Sequence, residues 1–170
     1  MPVELNGKRA TQQCADVFRG VVSKGADCTD SEKARYYSKI SGPLLDRIDI
    51  QLEVPEVKFR DIVSRTPAES SAAIRARVTR ARERQNGRFD GRRIFANAQM
   101  GPKEVKLFCP IPAEAEKLLE MAVTKLGFSA RAFDRVLKVA RTIADLDGKG
   151  AIETPHVSEA IQYRMMDRFG

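Results

Sequence analysis

SARAFDRVLKVARTIADLDG, residues 129–148, carries the clearest structural signal in this sequence. Ser129 is a good N-cap, and Asp147 with Gly148 would end a helix after about Leu146. The apolar side chains return every three or four residues, the spacing at which they share one face of an α-helix. That face comprises Phe133, Val136, Leu137, Ala140, Ile143 and Ala144. The stretch therefore predicts a long helix whose apolar face needs partner helices.

A second long helix is predicted upstream, from Glu69 to about Arg88. Ile74, Val78 and Ala81 recur in it at helical spacing, which predicts a narrow buried face. The remaining positions are mostly charged or small.

Shorter helices complete the predicted bundle. Residues 100–108 allow one short helix, Pro112 opens a second that Gly127 ends, and Thr154 with Pro155 begins a third. Their inward positions would be Ala115, Leu118, Leu119, Ala122 and Leu126, followed by Val157, Ala160, Ile161 and Met165. We therefore expect residues after 68 to form a bundle of about four helices.

The chain before residue 67 follows a different pattern. Residues 48–54 alternate apolar and polar side chains, which predicts one strand with a single buried face. Residues from Asp30 onward suggest a short helix, whereas residues 1–29 show no sustained period and are expected to be irregular. These changes place a domain boundary near residue 67.

Composition excludes several classes of protein. The 170 residues are 42% hydrophobic and 31% charged, and no run approaches the roughly 20 apolar residues that cross a bilayer. The amino terminus also lacks the apolar stretch of a signal peptide, so a cytoplasmic, non-membrane protein is expected. Three widely spaced cysteines and a single histidine favour reduced thiols and exclude a multi-histidine metal site within the chain.

The positive charge is concentrated in one segment. Residues 69–100 hold eight arginines and three acidic residues, a net charge of +5 within a total of +7. Most of this excess falls on the second predicted helix. A concentrated basic surface is typical of contact with a polyanion.

Several motifs, in one order, resemble a known family. They are KISGPLLDRID at 39–49, ESSAAIRARVTRARERQ from Glu69, LFCP from Leu107, the stretch at 129–148, and HVSEAIQYR from His156. Together they resemble AAA+ ATPases of the magnesium-chelatase-related, ComM type over about residues 28–166. The resemblance implies that residues 30–67 are the end of an AAA+ α/β core with about one strand, and that residues 68–170 are a mainly α, lid-like helical bundle. Residues 1–29 stay unmatched by these motifs.

The resemblance assigns roles to two arginines. Arg47 matches the arginine finger, which acts on the ATP of a neighbouring subunit, and Arg131 matches the sensor 2 residue of the lid. A planar, permanently charged guanidinium suits the charge that spreads over the γ-phosphate oxygens in the transition state. The alternative is that Arg47 belongs to an ordinary solvated charge cluster with Asp46 and Asp49, and that Arg131 is an exposed helical arginine.

The arginine-rich helix allows two interpretations. Its arginines could bind the phosphates of DNA in a salt-dependent manner, or they could form a solvated face with salt bridges between subunits. Few aromatic residues accompany it, which argues against a base-stacking platform. The candidate nucleic-acid-binding residues are Arg75, Arg77, Arg80, Arg82, Arg84 and Arg88.

The sequence contains no recognisable phosphate-binding loop. In NGKRAT, residues 6–11, Lys8 is followed by Arg9 where a serine or threonine would bind Mg²⁺. No apolar strand ends in paired acids as a Walker B motif would. We therefore expect ATP and Mg²⁺ to serve the full-length family, and the chain alone to hydrolyse no ATP and to bind neither ligand tightly. No metal site is predicted, because Cys28 lacks the paired cysteine spacing of a zinc site.

The implied function is that of an ATP-driven ring motor that acts on DNA, with branch migration as the ComM activity. Its partners would be the AAA+ core or neighbouring subunits of the ring, with DNA as a further candidate. The alternative from another class is a non-enzymatic basic helical module that binds nucleic acid or a protein. A metal-chelatase subunit is a third interpretation.

Overall fold

The computed structural model describes residues 4–5, 8–9, 48–52, 59, 63 and 68–164. The predicted helix after Asp30, the residues Val54 and Met165, and the side chain of Leu126 lie outside these residues. A short antiparallel hairpin pairs β1 (Glu4–Leu5) with β2 (Lys8–Arg9). Asn-Gly, the dipeptide between these strands in the sequence, is typical of a two-residue hairpin turn.

The helices of residues 71–162 fall in one compact unit, which comprises residues 67–165 together with residues 48–50. The helices are α1 (Ser71–Arg88), α2 (Pro102–Phe108), α3 (Ala113–Leu126), α4 (Ala130–Leu146) and α5 (Thr154–Gln162). A 3₁₀ turn, Asn97–Gln99, lies between α1 and α2. The described part of the chain is therefore mainly helical, as the sequence predicts.

Helix α4 is the centre of the unit, and it contacts α1, α2, α5 and the 3₁₀ turn. Ser129 caps it by accepting a 3.2 Å hydrogen bond from the backbone N–H of Ala132. Its predicted apolar face is correct at four positions, which are all buried: Val136, Leu137, Ala140 and Ala144. Phe133 was predicted to be buried and is 36% exposed, although it lies on that face, in the first turn of the helix.

The predicted ends of the other helices agree with the structure to within one or two residues. Gly127 ends α3 in the left-handed conformation, with φ of 61°, which glycine adopts without steric cost. The amino-terminal cap of α5 is Glu153 and not Thr154. The backbone N–H of Glu153 donates to Nδ1 of the buried His156 at 2.9 Å, so this first turn is closed by a histidine.

The first half of α1 does not pack as predicted. Residues 71–80 are all exposed, with Ile74 at 41% and Val78 at 45%, and only Ala81 and Gln85 are buried along this helix. The prediction of a buried face from Ile74 and Val78 is wrong because α1 meets α4 through its carboxy-terminal half only. In the described part of the chain nothing covers residues 71–80, which make about the first three turns of α1 and which we call the basic arm.

The predicted strand at 48–54 is not formed over residues 48–52. These residues are neither helical nor paired with a strand, and Ile48, Ile50 and Leu52 are exposed. Alternation of apolar residues makes a strand only where a second strand supplies the ladder of hydrogen bonds. Among the described residues, no strand is paired with this segment.

Candidate functional site

The candidate site is built around α4 and the short segment that follows Arg47 in the sequence. Arg47 itself, the predicted arginine finger, lies outside the described residues. Ile48, Asp49 and Ile50 belong to the same compact unit as the helices. Their contacts therefore show where the chain lies directly after the predicted finger.

Arg131 lies in the first turn of α4, and its side chain is exposed. The first turn of a helix presents backbone N–H groups without helical partners and the positive end of the helix dipole. An exposed guanidinium there adds a full positive charge to a setting that already favours phosphate. The position therefore favours the binding of an anion.

Two arginines of the bundle contact the segment after Arg47. Arg135, one helical turn beyond Arg131, forms an ion pair with the carboxylate of Asp49. Arg164, directly beyond α5, donates from Nη1 to the backbone carbonyl of Ile48 at 2.9 Å. Sequence analysis missed both contacts, because neither pair is close in the sequence.

Of the six candidate nucleic-acid-binding arginines, Arg88 has a structural role. Its two terminal nitrogens bind the carboxylate of Asp145, which is fully buried in α4, and Nη1 to Oδ2 is 2.7 Å. Nη1 also donates to Oδ1 of Asn97 at 2.9 Å. Because these hydrogen bonds occupy its guanidinium, Arg88 joins α1 to α4 and is not available to bind a polyanion.

The other five arginines of α1 divide along its length. Arg84 donates to the backbone carbonyl of Asp145 at 3.1 Å, and Arg82 donates to Oε1 of Gln85 at 3.0 Å. On the basic arm, Arg77 forms a 2.6 Å ion pair with Glu69, where both side chains are 45% exposed. The two that remain are exposed at the surface of the arm, Arg75 and Arg80.

Arg141 and Asp145 form a buried charged pair inside the bundle. Nη2 of Arg141 lies 3.2 Å from Oδ1 of Asp145, and the guanidinium also donates to the carbonyls of Lys149 and Gly150, each at 2.9 Å. Burial lowers the pKa of Arg141, and the carboxylate of Asp145 opposes that shift. Sequence analysis missed this pair. A signal existed, because Leu137, Arg141 and Asp145 follow one another at intervals of four residues along the buried face.

Cys109 is buried in the core and has no catalytic character. Burial raises the pKa of its thiol to about 11, although the nearby Arg141 and Arg88 act in the opposite direction. A thiol that stays protonated at neutral pH is a poor nucleophile and a poor metal ligand. The other two cysteines, Cys14 and Cys28, lie outside the described residues.

Two classes of feature are not found where the structure can be described. Within residues 68–164 and the shorter described segments, no three His, Cys, Asp or Glu side chains are grouped so that they could hold a metal ion. None of the described helices has the length and apolar character that crossing a bilayer requires. Of the ligands that the resemblance implies, ATP is the one that a described residue, the exposed Arg131, would contact.

Two family models match this chain. The family model described as magnesium chelatase, subunit ChlI C-terminal, matches residues 68–164, and the one described as magnesium chelatase, subunit ChlI, matches residues 9–62. The second match begins inside the segment that the sequence motifs left unmatched.

Individual relatives are similar over most of this chain. The protein YifB of Escherichia coli is 43% identical over 143 residues, which are 83% of this chain and 27% of the relative. The competence protein ComM of Haemophilus influenzae is 42% identical over 135 residues, 79% and 26% of the two chains. The protein Rv2897c of Mycobacterium tuberculosis is 34% identical over 138 residues, 81% and 27%.

The chain thus spans about a quarter of the length of these relatives. One family match covers more than half of the chain, over the same residues that form the helical bundle. The resemblance found in the sequence motifs is confirmed, and this chain belongs to the magnesium chelatase ChlI C-terminal family, among its ComM-type members.

Proposed function

We propose that this chain is the part of a ring-forming AAA+ ATPase that carries the arginine finger and the sensor 2 lid, and that the complete ring uses ATP to process DNA. The observation that carries the proposal concerns helix α4. Arg131 is exposed in its first turn, and one turn later Arg135 binds Asp49, two residues after Arg47. Both arginine-bearing segments are therefore attached to one helix of the bundle.

In the proposed ring, each ATP lies between two subunits and brings its own Mg²⁺. Arg47 of one subunit stabilises the negative charge on the γ-phosphate of the ATP held by its neighbour. Arg131 contacts the phosphates of the ATP bound by its own subunit, and the bundle changes orientation with the nucleotide state. We propose DNA as the substrate class because the Haemophilus relative is a competence protein.

Arg131→Ala tests the lid assignment. The chain has no recognisable phosphate-binding loop, so the test uses a hybrid protein, in which this chain replaces the matching segment of Escherichia coli YifB. We expect ATP turnover of the hybrid to fall about 100-fold, as when one preorganised donor to a developing charge is removed. Steady-state ATPase assays with the variant measure the effect.

The control for this test is Arg93→Ala, which removes an exposed arginine in the turn after α1. It removes the same charge from a residue outside α4, so turnover should stay the same. Normal turnover in Arg131→Ala would remove the sensor 2 assignment and leave Arg131 as an exposed surface residue.

A second candidate function is a non-enzymatic module that binds nucleic acid through the basic arm. The exposure of residues 71–80, with Arg75 and Arg80 at the surface, favours it. Arginines of this kind contact phosphates and not bases, so binding should be independent of sequence and strongly dependent on salt.

Arg75→Ala with Arg80→Ala is expected to weaken binding of this chain to double-stranded DNA. Each lost phosphate contact lowers the slope of log K against log salt by about 0.9, so the double variant should lose a slope of about 2. Fluorescence anisotropy titrations at salt concentrations from about 50 to about 200 mM measure this slope. Lys103→Ala with Lys117→Ala, both exposed on other helices, is the matched control. An unchanged slope in the arm variant would exclude the arm as the contact surface.

A further inference from the structure

The three residues that follow Arg47 are attached to the helical bundle at two points. The carboxylate of Asp49 pairs with Arg135 in the second turn of α4. The backbone carbonyl of Ile48 accepts a 2.9 Å hydrogen bond from Nη1 of Arg164. One contact fixes a side chain and the other fixes the main chain, so together they restrict both the position and the rotation of this short segment.

Arg164 is a well-anchored donor. It is fully buried, and its guanidinium carbon lies 5.9 Å from the centroid of the ring of Phe128, a buried residue in the loop that joins α3 to α4. Removing a guanidinium from water is costly unless its N–H groups are hydrogen-bonded. The hydrogen bond to Ile48 offsets part of that cost, so breaking this hydrogen bond would be unfavourable.

The contact between Arg135 and Asp49 is more accessible. The side chain of Arg135 is 29% exposed and that of Asp49 is 45% exposed. Ion pairs of this kind contribute little stability, because water and salt screen them. Such a contact can be removed without unfolding the bundle, which makes it suitable for a direct test.

The spacing along the chain limits what can absorb a movement of the bundle. In the sequence, Arg47 is one residue from Ile48, whose carbonyl is fixed, and two residues from Asp49, whose carboxylate is fixed. Consecutive Cα atoms are about 3.8 Å apart, so these distances along the chain are short. No flexible linker separates Arg47 from these two points of attachment in the sequence. A displacement of α4 or of the end of α5 would therefore act on Ile48 and Asp49, the two residues that directly follow Arg47 in the sequence.

From these contacts we infer that Arg135 and Arg164 are positioning residues, which tether the arginine-finger segment to the lid so that lid movement sets the position of Arg47. The inference rests on the proposed function, because it assigns a purpose to the tether only if Arg47 acts as the finger. Neither residue touches the nucleotide in this scheme. The lid would report the nucleotide state of its own subunit and, through the tether, adjust the finger that serves the neighbour.

The first experiment detects the tether in this chain by itself. Limited trypsin digestion followed by mass spectrometry measures cleavage of the bond between Arg47 and Ile48. Asp49→Asn and Arg135→Gln should each accelerate it about threefold to fivefold, the range that a partly exposed ion pair can supply. If both act through one contact, the double variant should be no faster than either single variant. Arg93→Gln, which also removes one exposed arginine and one trypsin site, should leave the rate unchanged.

The second experiment asks whether the tether positions the finger. In the hybrid protein, Asp49→Asn and Arg135→Gln should each lower kcat for ATP about threefold to fivefold with an unchanged KM, the range that a partly exposed ion pair can supply, and the double variant should lose no more. A merely structural role would change stability without this split between kcat and KM. Arg164→Lys, which keeps a donor near the Ile48 carbonyl, should retain more activity than Arg164→Met, provided that both variants fold.

The outcomes separate this inference from the proposed function. Faster cleavage together with a lower kcat supports the tether. A normal kcat in Asp49→Asn and Arg135→Gln, in a hybrid that loses activity on Arg47→Ala, would overturn the tether alone. Unchanged turnover in Arg47→Ala would overturn the finger assignment and the inference with it. Additive effects of Asp49→Asn and Arg135→Gln would also overturn the tether, because they would show that the two residues act separately.

Discussion

Asp145→Asn is expected to lower the free energy of unfolding of this chain by about 3–5 kcal/mol, the cost of breaking a buried ion pair by removing one partner. Asp145 is fully buried, and its two oxygens accept from Arg88, Arg141 and Asn97. Asparagine has the same size but no charge. Two guanidiniums, one of them almost completely buried, would lose their counter-ion without any change in volume.

The effect should exceed that of any single apolar contact, because α1 and α4 are joined here. Arg88 crosses from α1 to the carboxylate, Arg84 reaches the backbone carbonyl of the same residue, and Asn97 brings in the 3₁₀ turn. Losing the charge at this junction weakens three elements at once. We therefore expect α1 to detach first as the variant unfolds.

Urea denaturation followed by far-ultraviolet circular dichroism measures this loss. Asp90→Asn, an exposed acid in the turn after α1, is the matched control and should change stability by less than about 0.5 kcal/mol. A loss below about 1 kcal/mol in Asp145→Asn would show that water reaches Arg88 and Arg141 and that the pair is not truly buried.

Arg47→Ala in the hybrid protein is expected to lower ATP turnover by about 10³-fold while ATP binding is retained. Arginine fingers stabilise charge that develops in the transition state, and their removal typically costs at least this factor. Arg47→Lys should restore little, because a point charge cannot reproduce the bidentate guanidinium. ATPase assays and nucleotide-binding titrations separate the loss of chemistry from the loss of binding.

A mixing experiment tests whether Arg47 acts on a neighbour. One subunit type carries Arg47→Ala, and the other carries an inactivated phosphate-binding loop and a normal Arg47. Mixed rings should regain part of the turnover, because some sites then combine an intact loop with an intact finger from the adjacent subunit. If mixing restores nothing although Arg47→Ala is inactive alone, the arginine acts within its own subunit.

The helices were predictable because their signals are local. Ser129, Gly127 and Pro112 each affect only neighbouring backbone groups, and the periodicity around Val136 describes one helix without reference to the rest of the fold. The family assignment also follows from short sequence motifs, because these can be compared without coordinates. The roles of Arg47 and Arg131 remain predictions.

The predictions that were wrong concern residues whose burial or pairing depends on partners far away in the sequence. Ile74 and Val78 have helical spacing, yet no described element covers them, so the same spacing yields an exposed arm. The alternation at residues 48–52 has no paired strand among the described residues, so it makes no ladder. The local sequence pattern indicates which side chains of a segment could be buried. The tertiary contacts decide whether those side chains are buried.

By itself, the sequence determined the family and the approximate ends of the described helices, and it indicated the positions to test as finger and sensor. Only the tertiary structure decided the uses of the arginines. It turned Arg88 inward to a buried carboxylate, left Arg75 exposed, and joined Arg135 and Arg164 to the segment after the predicted finger. The physical reason is that the role of an arginine depends on the acceptors that its guanidinium binds. These acceptors belong to residues that are distant in the sequence and close only after folding.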